Sequence, residues 1–305
     1  MTSKQIINGL KHPRKILGFL LDKTSQIWPD RLYLQIKFRL EMGEKLNLKH
    51  PKTFNEKLQW LKLYNRRPEY TTMVDKHAVK NYVANKIGKE YIIPTLGVWD
   101  RLEEIDWEVL PNQFVLKTTH GGGGGGVSIC RDKATFNRQE ACQKLQRSLN
   151  SDIYLNYREW PYKDVPKRII AEKYMVDESG VELKDYKFFC FNGRVEYFKV
   201  DFDRFNSHKA NYYDREANLL PFWEKVCPAD HTRVFDKPKN FDKMIELAET
   251  LSRNIPFVRI DFYNINGNIY FGEITFFPGA GMNKFEPKEW DYRIGKYLKL
   301  PYNNR

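Results

Sequence analysis

Phe114-Val-Leu-Lys-Thr-Thr-His-Gly-Gly-Gly-Gly-Gly-Gly-Val-Ser-Ile-Cys130 is the stretch on which the fold turns. Its apolar ends, 114–118 and 127–130, have β-type composition, so the glycines between them predict a hairpin with an unusually mobile tip. A turn needs one or two glycines, and each further one costs order on folding. A run of Gly121, Gly122, Gly123, Gly124, Gly125 and Gly126 therefore points to a ligand. Without Cβ atoms the backbone approaches closely, and successive amides can turn toward phosphate oxygens. Lys117, four residues earlier, can place a positive charge on the same phosphates. Neither a Walker loop nor a Rossmann fingerprint fits, because no Gly-Lys-Ser/Thr and no immediate helix signal follows. His120 abuts the run and is a candidate contact for phosphate or substrate, or a bystander.

Downstream, Arg168 to Met175 reads as a strand. Two Asn-Gly pairs, Asn192-Gly193 and Asn266-Gly267, sit between β-type runs and predict hairpins over 186–200 and 257–276. Helices carrying Cys142, Leu145 and Leu149, and Phe241, Met244, Ala248 and Leu251, alternate with these hairpins. Antiparallel hairpins interleaved with helices indicate α+β. Upstream the first 68 residues read as helices broken at Pro13, Pro29 and Pro51. Thr53 and Glu56 form a capping box, and a further helix is expected from about Asp75 to a left-handed cap at Gly88.

The chain has 305 residues, 41% of them apolar, which supplies real cores and excludes a disordered chain. Its net charge of +12 is lopsided: residues 1–68 hold 15 basic and 5 acidic side chains. The body is nearly neutral, so no nucleic-acid partner is expected. Ile16, Leu17, Leu20 and Leu21 form an apolar stripe among Lys11, Arg14, Lys15 and Lys23; such a helix can pack on its own protein, or residues 1–25 can lie on an anionic membrane. Apolar runs are far below the roughly 20 residues a membrane span needs. No secretory signal is evident, and Cys130, Cys142, Cys190 and Cys227 show no metal or disulfide spacing. The expected location is the cytoplasm, or the inner face of the membrane.

Asp261 and Glu273 lie on the two strands of the last hairpin. Alternation puts Arg259, Asp261 and Tyr263 on one face, and Phe271, Glu273 and Thr275 on one face. If those faces coincide, two carboxylates converge beside an arginine, a hard-oxygen set suited to Mg²⁺. The alternative is an ordinary Arg259–Glu273 cross-strand ion pair.

Phe114-Val-Leu-Lys117, Ala171-Glu-Lys-Tyr-Met175, Val258-Arg-Ile-Asp261, Phe271-Gly-Glu-Ile-Thr275 and Pro278-Gly279 resemble the ATP-grasp fold in order and spacing. Four further stretches resemble the TupA-like ATP-grasp group of bacterial surface-polysaccharide clusters. They are Pro51-Lys-Thr-Phe-Asn-Glu-Lys-Leu-Gln-Trp60, Val74-Asp-Lys-His-Ala-Val79, Asp185-Tyr-Lys-Phe-Phe-Cys-Phe-Asn-Gly193 and Pro287-Lys-Glu-Trp-Asp-Tyr292. The resemblance implies two α+β lobes clamping ATP, at 111–175 and 176–305, behind a helical basic region at 1–110. It implies that Lys117 and the glycine loop hold the phosphates, with Glu172 at the adenine amino group and the backbone of Lys173, Tyr174 and Met175 at the adenine edge. Asp177 or Glu178 would take the ribose. Lys187 would be a further phosphate or lobe-bridging cation, and Arg259 would stabilise the transition state. Asp261, Glu273 and Thr275 would hold Mg²⁺. Thr275 stands where the family usually has Asn, and the helical front region departs from relatives with a Rossmann-like domain.

The implied reaction joins a carboxylate to an amine through an acyl phosphate, on a sugar acid or polysaccharide acceptor. Arg204, His208, Lys209 and Asn211, in a polar segment after the 195–200 strand, are candidate acceptor contacts; a solvated loop is the alternative. Other functions in view are a sugar kinase on the same fold, a glycosyltransferase (only Asp201-Phe-Asp203 matches its metal motif), and a basic nucleic-acid or membrane-binding module.

Overall fold

The computed structural model describes residues 13–122, 125–177, 183–202, 208–233 and 235–302. It begins with helices α1 (Pro13–Lys23), α2 (Asp30–Met42), α3 (Phe54–Tyr64), α4 (Glu69–Val74) and α5 (Ala78–Ile87). Strands β1 (Thr95–Trp99), β2 (Phe114–Thr118) and β3 (Val127–Cys130) follow, then α6 (Arg138–Leu149), α7 (Ile153–Tyr157) and β4 (Ile169–Lys173). Next come β5 (Asp185–Phe191), β6 (Arg194–Phe202), β7 (Lys209–Asp214) and the short β8 (Trp223–Glu224). The chain closes with α8 (Phe241–Ser252), β9 (Phe257–Ile265), β10 (Asn268–Thr275), β11 (Phe285–Glu286) and α9 (Glu289–Tyr297). Helices and antiparallel sheets combine as expected for α+β.

Local chemistry explains most boundaries. The Thr53 hydroxyl accepts from the Glu56 amide at 3.1 Å and the Glu56 carboxylate accepts from the Thr53 amide at 3.0 Å, so α3 starts on the expected capping box. Helix α5 starts three residues later than the sequence suggests, because the Asp75 carboxylate accepts from the His77 amide at 2.8 Å ahead of the helix. It ends at Gly88 with φ 124° and ψ 153°, not in the left-handed helical conformation expected there. Both Asn-Gly turns carry two successive positive φ values, 52° and 84° at Asn192-Gly193 and 50° and 80° at Asn266-Gly267, which matches the twist of tight hairpins. β7 is a strand where a solvated loop had been the alternative, and β1 was not foreseen.

The strands form a four-stranded sheet, β1-β4-β2-β3, a five-stranded sheet, β10-β9-β5-β6-β7, and a two-stranded β11-β8 pair. The larger sheet sorts its faces by register. Ile274, Ile260, Phe188, Phe198 and Tyr213 oppose one another across the five strands. That apolar row meets α8, with the Phe241 ring 5.7 Å from Phe188 and 4.8 Å from Phe198. The adjacent row, Glu273, Asp261, Lys187, Lys199 and Tyr212, faces the other way. Period-2 alternation thus carries the charged groups to one side.

Helices α2 to α5 share a single apolar core with the larger sheet, while the smaller sheet has its own around Phe114, Leu116, Leu145, Ile169 and Ala171. Residues 153–165 lie between α6 and β4 in sequence yet return to the helical region. The buried Arg158 side chain donates to the Ser25 carbonyl at 2.5 Å, pairs with Asp30 at 2.9 Å and stacks over Tyr33 at 4.0 Å. Tyr33 donates to the Asn156 carbonyl at 2.6 Å, and Trp160 packs against the larger core.

Candidate functional site

A cavity of about 630 Å³ lies where the small sheet, the α4–α5 segment and the charged face of β9–β10 meet. That volume is within the usual range for small-ligand sites. Its lining carries six cations (Lys76, Lys80, Lys117, Arg131, Lys144, Lys173) and four carboxylates (Glu172, Asp185, Asp261, Glu273). The excess is positive and the site suits a polyanion.

On the small-sheet wall, Glu172 and Lys117 extend from neighbouring strands β4 and β2. The Glu172 carboxylate accepts from Lys117 Nζ at 2.5 Å and pairs with Lys80 Nζ at 2.6 Å. Burial alone would raise its pKa, but the two ammonium groups outweigh burial and hold it at about 2. Burial also lowers the pKa of Lys80, against the pull of Glu172. Lys173, Tyr174 and Met175 line the cavity beyond Glu172, as do Gly121, Gly122 and Gly126.

The described glycines differ in what surrounds them. A Cβ on Gly126 would lie 2.3 Å from Ser148 Oγ, and one on Gly121 would lie 2.3 Å from Thr118 Oγ1. Thr118 and Ser148 are themselves hydrogen-bonded at 2.6 Å, so these two glycines are required by packing at the base of the hairpin. Gly125 has open space where its Cβ would be. Gly123 and Gly124 lie outside the described residues. Lys76 Nζ donates to the Gly121 carbonyl at 2.5 Å and stands 4.0 Å from Glu273, linking the hairpin to the opposite wall.

On that wall Asp261 opposes Glu273 and Arg259 opposes Thr275, so the expected faces coincide. The alternation is broken at Gly272, where the register shifts and Phe271 opposes Phe262. Arg259 does not pair across the hairpin with Glu273. It grips Asp261 through two hydrogen bonds of 2.7 Å and donates to Thr275 Oγ1 at 3.0 Å. Burial and the neighbouring Asp185 push the Asp261 carboxyl up, against Arg259. Asp261 and Glu273 line the cavity; Arg259 and Thr275 stand behind Asp261 and do not.

Other expected site residues lie elsewhere. Lys187 is buried off the cavity, bonded to Asp185 at 2.5 Å and to Asp201. Asp177 is buried and accepts from the Lys184 amide at 3.3 Å; Glu178 is outside the described residues. His120 is buried with Nε2 3.1 Å from the Ser148 carbonyl, and burial lowers its pKa; it does not reach the cavity. Of the acceptor candidates, Arg204 is outside the described residues and none of the rest lines the cavity. Asn211 is fully buried and bonds the backbone of Asp230 at both amide atoms (2.6 and 2.9 Å), which makes it a loop anchor. Lys209 contacts Asp230 at 3.4 Å. His208 meets Asp201 at 2.9 Å, with Cys227 nearby, and the ligating atoms of the three lie within 4.8 Å of one another. Burial works against ionised Asp201, but Lys199 and Lys187 outweigh it and hold its pKa well down. That carboxylate is already neutralised and is a poor cation ligand.

Among the charged lining residues, sequence reasoning missed Lys76, Lys80, Arg131, Lys144 and Asp185. Lys76 lay inside one of the quoted resemblances, and Asp185 began another; nothing marked Lys80.

Among curated proteins none matches the chain in sequence. Solved structures similar to it include the D-alanine–D-alanine ligase of Helicobacter pylori, at 13% identity and TM-score 0.42 over 81% of this chain and 69% of that one. The Bacillus anthracis D-alanine–D-alanine ligase gives 15% identity and TM-score 0.41 over 74% and 68%. D-cycloserine synthetase DcsG gives 14% and 0.41 over 76% and 72%. Likenesses at this level decide nothing about activity. The description of the TupA-like ATP-grasp family, in contrast, matches residues 56–299, well over half of the chain, and the protein belongs to that family.

Proposed function

We propose that the protein is an ATP-dependent carboxylate–amine ligase that acts on a sugar acid or surface polysaccharide. One observation carries the reading: a single cavity with lysines 76, 80 and 117 on one side and the Asp261–Glu273 pair on the other. A triphosphate needs both, cations for its oxygens and hard carboxylates for its magnesium. In this reading 111–175, with β1 added, is the small lobe, 176–305 the large lobe, and 1–110 supports the latter. Membership of the TupA-like ATP-grasp family agrees with it.

The donor set fits Mg²⁺, because the Asp261 and Glu273 carboxylates that line the cavity offer only hard oxygens, whereas the Thr275 hydroxyl, expected as a third ligand, is engaged by Arg259 behind them. Mg²⁺ would neutralise charge on the transferred phosphoryl group. Lys117 and Lys76 orient the phosphates, with Gly121, Gly122 and Gly126 lining the same cavity. Lys173 to Met175 border the base, and Arg259 fixes the Asp261 carboxylate. The acceptor carboxylate oxygen attacks the γ-phosphorus and ADP leaves; the amine nitrogen then attacks the acyl carbon, phosphate leaves and a proton is lost from nitrogen.

The test is incubation with ATP, Mg²⁺ and a panel of uronic acids and amines. Expected products are ADP, phosphate and an amide, with turnover reduced about a hundred- to thousandfold in Glu273→Gln at unchanged thermal stability. AMP, a phosphorylated sugar, or full activity in that variant overturns the proposal.

A further inference from the structure

Helix α1 is turned inside out. At about 100° per residue, Phe19, Ile16, Leu20 and Leu17 occupy one continuous arc of roughly 160°. A surface helix normally buries such an arc, yet here only Leu21 is buried, while Leu17 is 55%, Leu20 52% and Phe19 45% exposed. The exposed series continues through Ile27 in the following turn and Leu32 in the first turns of α2. Of fourteen large exposed apolar side chains among the described residues, these five fall within sixteen consecutive positions.

The charges around the arc are sorted as well. Arg14, Lys15, Lys23 and Arg31 are exposed and form no ion pair among the described residues. Lys23 Nζ rests 5.6 Å from the Phe19 ring centre, its stem along apolar surface. The acids of the same segment are paired within the chain: Asp22 is taken by Lys37 at 2.8 Å and Tyr33 at 2.7 Å, and Asp30 by Arg158 at 2.9 Å and Arg66 at 2.5 Å. What remains outward is four cations set among five large apolar groups.

We propose that this face, residues 14–32, seats the protein on an anionic lipid surface, with the apolar arc at the headgroup–acyl boundary and the cations on lipid phosphates. A second copy of the chain fits poorly, since a twofold pairing of the face would set its cations against one another. A nucleic acid would use the cations and leave the apolar arc in water. The proposal is independent of the chemistry assigned to the cavity.

The test is cosedimentation of the full chain with vesicles of phosphatidylglycerol and phosphatidylcholine, and with phosphatidylcholine alone. Partition onto the anionic vesicles is expected, weakened by salt, and at least about tenfold lower on neutral ones. Leu17→Ser with Leu20→Ser is expected to reduce partition about tenfold or more. Lys15→Gln with Lys23→Gln is expected to reduce it about fivefold per charge. Both pairs are surface changes, so thermal unfolding and ATP-induced stabilisation should match the parent chain. The proposal is overturned by absent binding to anionic vesicles, by equal binding to neutral ones, by retained binding in both variants, or by a dimer that the leucine pair dissolves without any vesicle binding.

Discussion

Lys117 and Lys187 come from inner strands of the two sheets; the first was expected at phosphates, the second at phosphates or as a bridge between lobes. Their settings differ. Lys117 borders the cavity and shares one carboxylate, Glu172, with Lys80. Lys187 is buried off the cavity, between Asp185 and Asp201. One wall therefore has ammonium charge to spare for a ligand, while across the other sheet cations and carboxylates neutralise one another. Position on a strand does not decide which role a lysine takes; the number of acids within reach does.

Breaking the locked side should give the largest effect. Lys187→Met removes the ammonium shared by two buried carboxylates, Asp185 and Asp201, and is expected to cost about 3–5 kcal/mol of stability in urea unfolding, with nucleotide affinity little changed in the folded fraction. A loss of ATP affinity at unchanged stability would move Lys187 into the site and erase the contrast.

Acid should act on the open side through Glu172. Its folded pKa of about 2 lies below the ordinary 4.5, so its contribution is present above about pH 4.5 and fades as pH falls through 2. The amount is on the order of 3 kcal/mol, because a tenfold difference in proton affinity between folded and unfolded chain is worth about 1.4 kcal/mol. Unfolding free energies of the parent chain and Glu172→Gln, compared from pH 5 to 2, should converge by about that much. Parallel curves would mean that the two lysines do not hold the carboxylate ionised.

Lys117→Ala is expected to weaken ATP binding about ten- to a hundredfold by calorimetry, with only a small stability change. Unchanged affinity would contradict its phosphate role and leave Lys76 and Lys80 as the phosphate cations.

The finest distinction lies inside the glycine run. Gly126→Ala, crowded by Ser148 and Thr118, should destabilise by about 1–3 kcal/mol. Gly125→Ala meets no neighbour and should leave stability alone while lowering ATP affinity severalfold. Equal effects of the two on stability would remove the division between crowded and open glycines.

The sequence showed what is local. Two Asn-Gly turns, a capping box, and the pairing of Asp261 with Glu273 are patterns spanning a few residues, and the structure bears them out; the expected place of Phe271 beside Glu273 fails, because the register shifts at Gly272. The glycine run was legible as a hairpin, but not that Gly121 and Gly126 answer to Thr118 and Ser148. Lys80 reaches a carboxylate on β4, and Arg158 reaches carbonyls and an acid in the first helices. Contacts between such distant positions leave no periodic trace. The 209–214 strand was obscured for a different reason: its inward residues include a polar Asn211, whose partners are backbone groups of a distant loop.

The anchoring of residues 153–165 on the helical region has a mechanical consequence. The small sheet is fastened where its chain enters, where it leaves, and again halfway through, at Arg158 and Trp160. A page sewn along its inner margin turns only at the outer one. That margin is β3, which follows the glycines and, among the described residues, pairs with β2 alone. Engulfing a nucleotide should therefore be the work of this border rather than a swing of the whole lobe.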